Sequence, residues 1–105
     1  MYLIKQKVIR PNESVEFISM GHESISSEVR DYWIANYRDT HKCILVTSEL
    51  SENNLERVIT MLWDNKASWL EYLDDPIITA GLFVHMRRQK EEHGFIKELI
   101  SEEEV

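Results

Sequence analysis

Two apolar, β-rich stretches, Lys42–Glu49 (KCILVTSE) and Leu55–Trp63 (LERVITMLW), flank a short polar connection that contains Ser51-Glu52-Asn53-Asn54. Asparagine tolerates positive φ and hydrogen-bonds its own backbone, so this connection has turn chemistry. The second stretch alternates Leu55, Arg57, Ile59, Met61 and Trp63 against Glu56, Val58, Thr60 and Leu62. An antiparallel hairpin follows, with apolar residues on both faces toward its end. Everything else in the chain has to be placed around it.

The elements before the hairpin supply one strand and one helix. Tyr2–Arg10 is a strand, carrying Leu3, Ile4, Val8 and Ile9 and stopped by Pro11. Residues 11–24 are rich in Asn, Glu and Ser and read as a long ordered loop around the apolar patch Val15–Ile18. Ser26 or Ser27 caps a helix with Glu28 in its first turn, where the dipole favours an acid. Val29, Trp33 and Tyr37 recur at i, i+4 and i+8 and form its packing face.

After the hairpin the pattern becomes helical. Asp64 or Asn65 caps a short helix with Ala67, Trp69, Leu70 and Leu73, and Trp69 with Leu73 turns toward the sheet. Asp75-Pro76 is a fresh cap followed by proline at N1, where its missing N–H costs nothing. A further helical piece is expected from Pro76 to His93, its buried stripe formed by Ile77, Ala80, Gly81 and Val84. Gly94 is suited to end it. FIKELI (95–100) is the last strand, and residues 101–105 (SEEEV) are a solvated acidic tail.

The order strand, helix, strand, strand, helix, strand implies one α+β domain over residues 1–105. It predicts a ferredoxin-like βαββαβ unit, an antiparallel four-stranded sheet with the two helices on one face. Apolar residues on both faces of the strands leave the other sheet face in need of cover. A homodimer with the sheets face to face supplies it.

The same residues carry a family resemblance. The run WDNKASWLEYLDDP (63–76) after a strand resembles the signature of the dimeric α+β barrel superfamily, which includes the antibiotic-biosynthesis monooxygenases. The layout from YLIKQKV to FIKELI is similar too. It also looks like that of small phage-encoded proteins with RP after the first strand, which implies the host cytoplasm. For haem-degrading members, the resemblance implies a catalytic tryptophan nine residues after the strand-ending Trp and a ligating histidine ten further on. Counted from Trp63, those positions hold Tyr72 and Leu82. Leucine cannot ligate iron, and His85 lies nearly one helical turn later. Haem chemistry is disfavoured and no cofactor is expected. For cofactor-independent monooxygenases, the resemblance implies an aromatic and polar pocket between helices and sheet. Tyr32, Trp33, Asn36, Trp63, Trp69, Tyr72 and His85 are its candidate lining, although aromatic residues at helical spacing are accounted for equally by packing.

Other chemistry finds little support. The net charge of −7 repels phosphate backbones, so general nucleic-acid binding is not expected. The acids are scattered among 12 basic residues, unlike those of a nucleic-acid mimic. The one cysteine, Cys43, sits in a strand and reads as a buried thiol, which fits a cytoplasmic protein. His22, His41, His85 and His93 form no metal-binding spacing, and no metal site is expected. Arg87, Arg88 and Lys90 read as complements to a helix C-terminus, paired with Glu91, Glu92 or the tail. No membrane span is present. No catalytic residue stands out, and the pattern favours a non-catalytic binding or accessory module. A cofactor-free oxygenase or isomerase acting on a small aromatic ligand is the alternative.

Overall fold

A computed structural model describes residues 1–105 and shows four strands and four helices. These are β1 (Tyr2–Ile9), α1 (Ser27–Trp33), β2 (Cys43–Leu50), β3 (Glu56–Trp63), α2 (Lys66–Asp74), α3 (Pro76–Ile78), α4 (Val84–His93) and β4 (Ile96–Glu104). The sheet order is β2-β3-β1-β4, and every neighbouring pair is antiparallel. This is the ferredoxin-like α+β fold. Its shortest dimension, 19 Å, accommodates one sheet and one helical layer.

Local chemistry sets the helix boundaries. Ser26 is the cap of α1, its Oγ accepting from the Val29 N–H. Asn65 caps α2 by accepting from the Ser68 N–H at 2.9 Å. Asp75 caps α3 by accepting from the Ile77 and Ile78 N–H groups. Gly94, at φ 76°, occupies the left-handed conformation that closes α4 and that side chains disfavour.

Two helices contain π-helical segments, Ile34–Arg38 after α1 and Thr79–Phe83 between α3 and α4. The second alters the expected phase of the long helical piece. Ile78 and Leu82 are its buried residues, whereas Ile77 and Ala80 are exposed. The wider i→i+5 turn and the Asp75 cap rotate the face away from the stripe predicted for an ideal α-helix. Gly81 and Val84 keep partial burial.

The acidic end also departs from expectation. Ser101–Glu104 complete β4 instead of forming a free tail, with Glu102, Glu103 and Glu104 opposite Ile4, Leu3 and Tyr2. A register shift between Lys5 and Gln6 accommodates the pairing. Glutamate has low β-propensity, but pairing with a central strand overrides it. The side chains of this stretch stay largely in water.

The core lies between sheet and helices. Tyr2, Ile4, Met61 and Trp63 point into it from the two central strands and meet Tyr37, Trp69, Tyr72, Ile78 and Leu82. Trp63 is fully buried, with ring centroids at 5.0 Å from Tyr72, 5.7 Å from Trp69 and 6.0 Å from Tyr37. Side chains alternate across a strand, so Leu3 and Leu62 face the opposite side, where no helix lies. Leu45 pairs with Leu62 on that bare face and is 51% exposed.

Candidate functional site

Beside this core, the helix–sheet layer opens into a cleft with two adjoining cavities of about 310 and 270 Å³. Ile18, Ile59, Phe83 and Met86 line both, and so do Arg57 and Lys97. The register explains why. Val8 of β1 lies between Arg57 of β3 and Lys97 of β4 on one rung of the sheet. On the next rungs toward the core, Gln6 opposes Ile59, Ile4 opposes Met61 and Tyr2 opposes Trp63. One sheet face thus runs from aromatic at the core end to cationic at the other.

The smaller cavity holds the aromatic end. Trp33 of α1 and Trp69 and Tyr72 of α2 line it, together with Met61. Burial, and then the neighbouring Cys43, raise the pKa of the Tyr72 phenol, which stays protonated at neutral pH. Cys43 is buried, and that burial pushes its thiol up to about 11, against a weaker lowering by the Leu45 backbone. It is a packed, unreactive thiol under ordinary conditions.

The larger cavity holds the cationic end. Arg87 and Lys90 of α4 line it with Arg57, Lys97 and the edge-to-face pair Phe17 and Phe95. The Arg57 guanidinium donates to Ser48 Oγ at 3.1 Å and lies 5.9 Å from the Phe17 ring centre. Arg87 and Lys90 do not make the ion pairs expected with Glu91, Glu92 or the chain end. The four ion pairs are Lys7–Glu56, His22–Glu16, Arg38–Asp39 and Lys42–Glu71. Lys97 is exposed as a residue, yet desolvation and the charge of Lys90 lower its pKa. No histidine and no carboxylate lines either cavity.

The remaining sequence candidates lie elsewhere. Trp63 is core beneath the aromatic end, and its indole N–H has no hydrogen-bond partner. Asn36 is exposed, its Nδ2 donating to the Tyr32 carbonyl at 2.9 Å. His85 is half-buried on α4 and lines neither cavity. Leu82, at the position compared with a haem ligand, is buried in the core and alone among these also lines the smaller cavity.

Tyr32 belongs to a separate polar cluster. Its hydroxyl and that of Tyr37 both donate to Asp75 Oδ2, at 2.6 and 2.5 Å, while Asp75 Oδ1 caps α3. Burial by itself would raise the Asp75 pKa. The two phenols and the helix N–H groups outweigh it and hold the carboxyl below its ordinary value. The hydrogen bond to Asp75, with desolvation, pushes Tyr32 up to about 12. Four donors on one buried carboxylate make a structural clasp between α1 and α3.

Arg57 and Lys97 carry no sequence signal as a pair, because they lie 40 positions apart. Only the strand register brings them together. The long loop closes the cleft's outer side through Phe17, Ile18 and Met20. Arg30 of α1 fixes that loop by donating to the carbonyls of Met20, His22 and Ile25.

Solved structures share this architecture. A candidate antibiotic biosynthesis monooxygenase from Deinococcus radiodurans superposes with a TM-score of 0.52 and 14% identity, over 98% of this chain and 91% of its own. Rv0793 from Mycobacterium tuberculosis gives the same TM-score and identity over 100% of this chain and 98% of its own. No family model and no curated protein matches the chain by sequence. At this identity the likeness to both structures is one of fold.

Proposed function

We propose that the chain is a homodimeric binding module that holds a small, largely apolar molecule in the helix–sheet cleft without turning it over. One observation carries the reading: the cleft has apolar walls and cations, with no histidine or carboxylate to move a proton. The phenol and thiol nearest the aromatic end are both shifted toward their neutral forms. The larger cavity falls at the lower end of the size range of small-molecule sites, and the smaller just below it. The dimer reading rests on the bare sheet face, where Leu3, Leu62 and Leu45 share one row.

Binding of the neutral probe N-phenyl-1-naphthylamine tests the module. Saturable binding is expected, and Ile59→Trp, which fills the cleft, removes it. Absence of binding, or binding unchanged by Ile59→Trp, counts against the reading.

A second reading is favoured by Trp33, Trp69 and Tyr72 around the smaller cavity, an aromatic wall suited to stacking a planar substrate. Together with a fold neighbour described as a candidate monooxygenase, this supports a cofactor-free oxygenase. Oxygen uptake by the purified chain with a polycyclic phenol and no added cofactor decides in its favour.

A further inference from the structure

The cleft is polarised along its length. Its core end presents Trp33, Trp69 and Tyr72, and its other end presents Arg57, Arg87, Lys90 and Lys97. In a chain with 19 acidic and 12 basic residues, four cations converge on one apolar opening. None of the four takes part in an ion pair. Charge screening over about 8 Å at physiological salt keeps the remote surface acids from cancelling this field.

Arg57 and Lys97 matter most, because they line both cavities and share the Val8 rung. Two strand spacings put their backbones about 10 Å apart. Side chains of their length reach a single anion placed over Val8 from both sides. Arg57 supplies a planar fork that matches a carboxylate, and Lys97 supplies a compact charge.

Resting on the binding reading above, the geometry points to an amphipathic anion as the ligand, with an aromatic body at the Trp69–Tyr72 end and a carboxylate between Arg57 and Lys97. The apolar body excludes water from the cleft and strengthens the ion contacts at its mouth. Free inorganic anions lack the body, and neutral aromatics lack the head.

Calorimetric titration of the full chain with 2-naphthoate and with its neutral isostere 2-naphthamide tests the inference. The acid is expected to bind at least about tenfold more tightly, a difference of about 1.4 kcal/mol. Added salt should shrink that preference. Lys97→Met and Arg57→Gln should each remove most of it. Arg57 also contacts Ser48 and Phe17, so Lys97→Met, whose side chain makes no hydrogen bond in the fold, guards against a folding artefact. Equal affinity for acid and amide overturns the inference and leaves the binding reading standing. A preference that survives both substitutions overturns it too. Failure of both compounds to bind removes the binding reading as well.

Discussion

Gly81 lies directly against Val29, where a β-carbon on Gly81 would stand 2.4 Å from Val29 Cγ2 and 2.8 Å from Cγ1. Here α1 and the π-helical segment Thr79–Phe83 pack closely together. Valine is stiff at χ1 and has little room to turn away.

Helix propensity alone makes Gly81→Ala stabilising by about 1 kcal/mol. Overpacking costs about 1–3 kcal/mol and acts against a rigid neighbour here. A net loss of up to about 2 kcal/mol is expected from urea unfolding. Val29→Ala in the same chain should recover part of it, giving a coupling of at least about 1 kcal/mol in the double-mutant cycle. A more stable single variant would mean that the two segments are not in contact.

Much of the fold was readable because its signals are local. The turn at Asn53-Asn54, the Asn65 cap, the Asp75-Pro76 restart and Gly94 each act within a few residues, and the structure has all of them. The phase of the helix after Pro76 was not readable, since a π-helical turn breaks the 3.6-residue period. Nor was the extension of β4 through three glutamates, which depends on an unpaired edge of β1 beside them. The candidate site divides in the same way. Trp33, Trp69 and Tyr72 were candidate lining through the family resemblance alone, and they line the smaller cavity. The cationic end was not visible, because Arg57 and Lys97 meet only across the sheet. Tyr32 and Tyr37 lie 43 and 38 positions from Asp75, so their shared hydrogen-bond acceptor left no sequence pattern.

That shared acceptor fixes a pH profile. Asp75 has a folded pKa below its ordinary 3.8, so its contribution is fully present above that value. It is lost as the pH falls through the depressed folded pKa. Tyr32 moves the other way, from 10.0 up to about 12. Its contribution is present below 10.0 and is lost as the pH rises toward about 12. The contribution of this cluster should therefore be level between these limits and fall on both sides. Asp75→Asn should flatten the acid limb relative to the parent chain, as followed by urea midpoints across the range. An unchanged acid limb would assign it to other carboxylates.

The same cluster separates a hydrogen bond from packing. Tyr37→Phe keeps the ring contacts with Trp63 and Tyr72 and removes one bond to a charged oxygen. The expected cost is about 1.5–3 kcal/mol at neutral pH. A loss below about 0.5 kcal/mol would show that Tyr32 alone satisfies Asp75 Oδ2.

Trp63 gives a contrast in kind. Its indole N–H is buried without a partner, so replacement forfeits packing and no hydrogen bond. Trp63→Ala should cost about 3–5 kcal/mol through the cavity left among Tyr37, Trp69 and Tyr72. Trp63→Phe keeps a ring in that cluster and should cost clearly less. If both variants lose the same amount, the indole N–H has an interaction that packing does not describe.

Leu45 tests whether the bare sheet face is an interface. It lies on edge strand β2, 51% exposed, in a row with Leu62 and Leu3. In a monomer, Leu45→Lys is a surface change worth within about 0.5 kcal/mol. In a face-to-face dimer it places a cation in an apolar contact, where burial without a partner is costly. The parent chain should sediment near twice 12.5 kDa at micromolar concentration, and Leu45→Lys should move the mass toward 12.5 kDa with its secondary structure intact. A parent that sediments as a monomer leaves the face without a second copy. A dimer that survives Leu45→Lys places the contact on another surface.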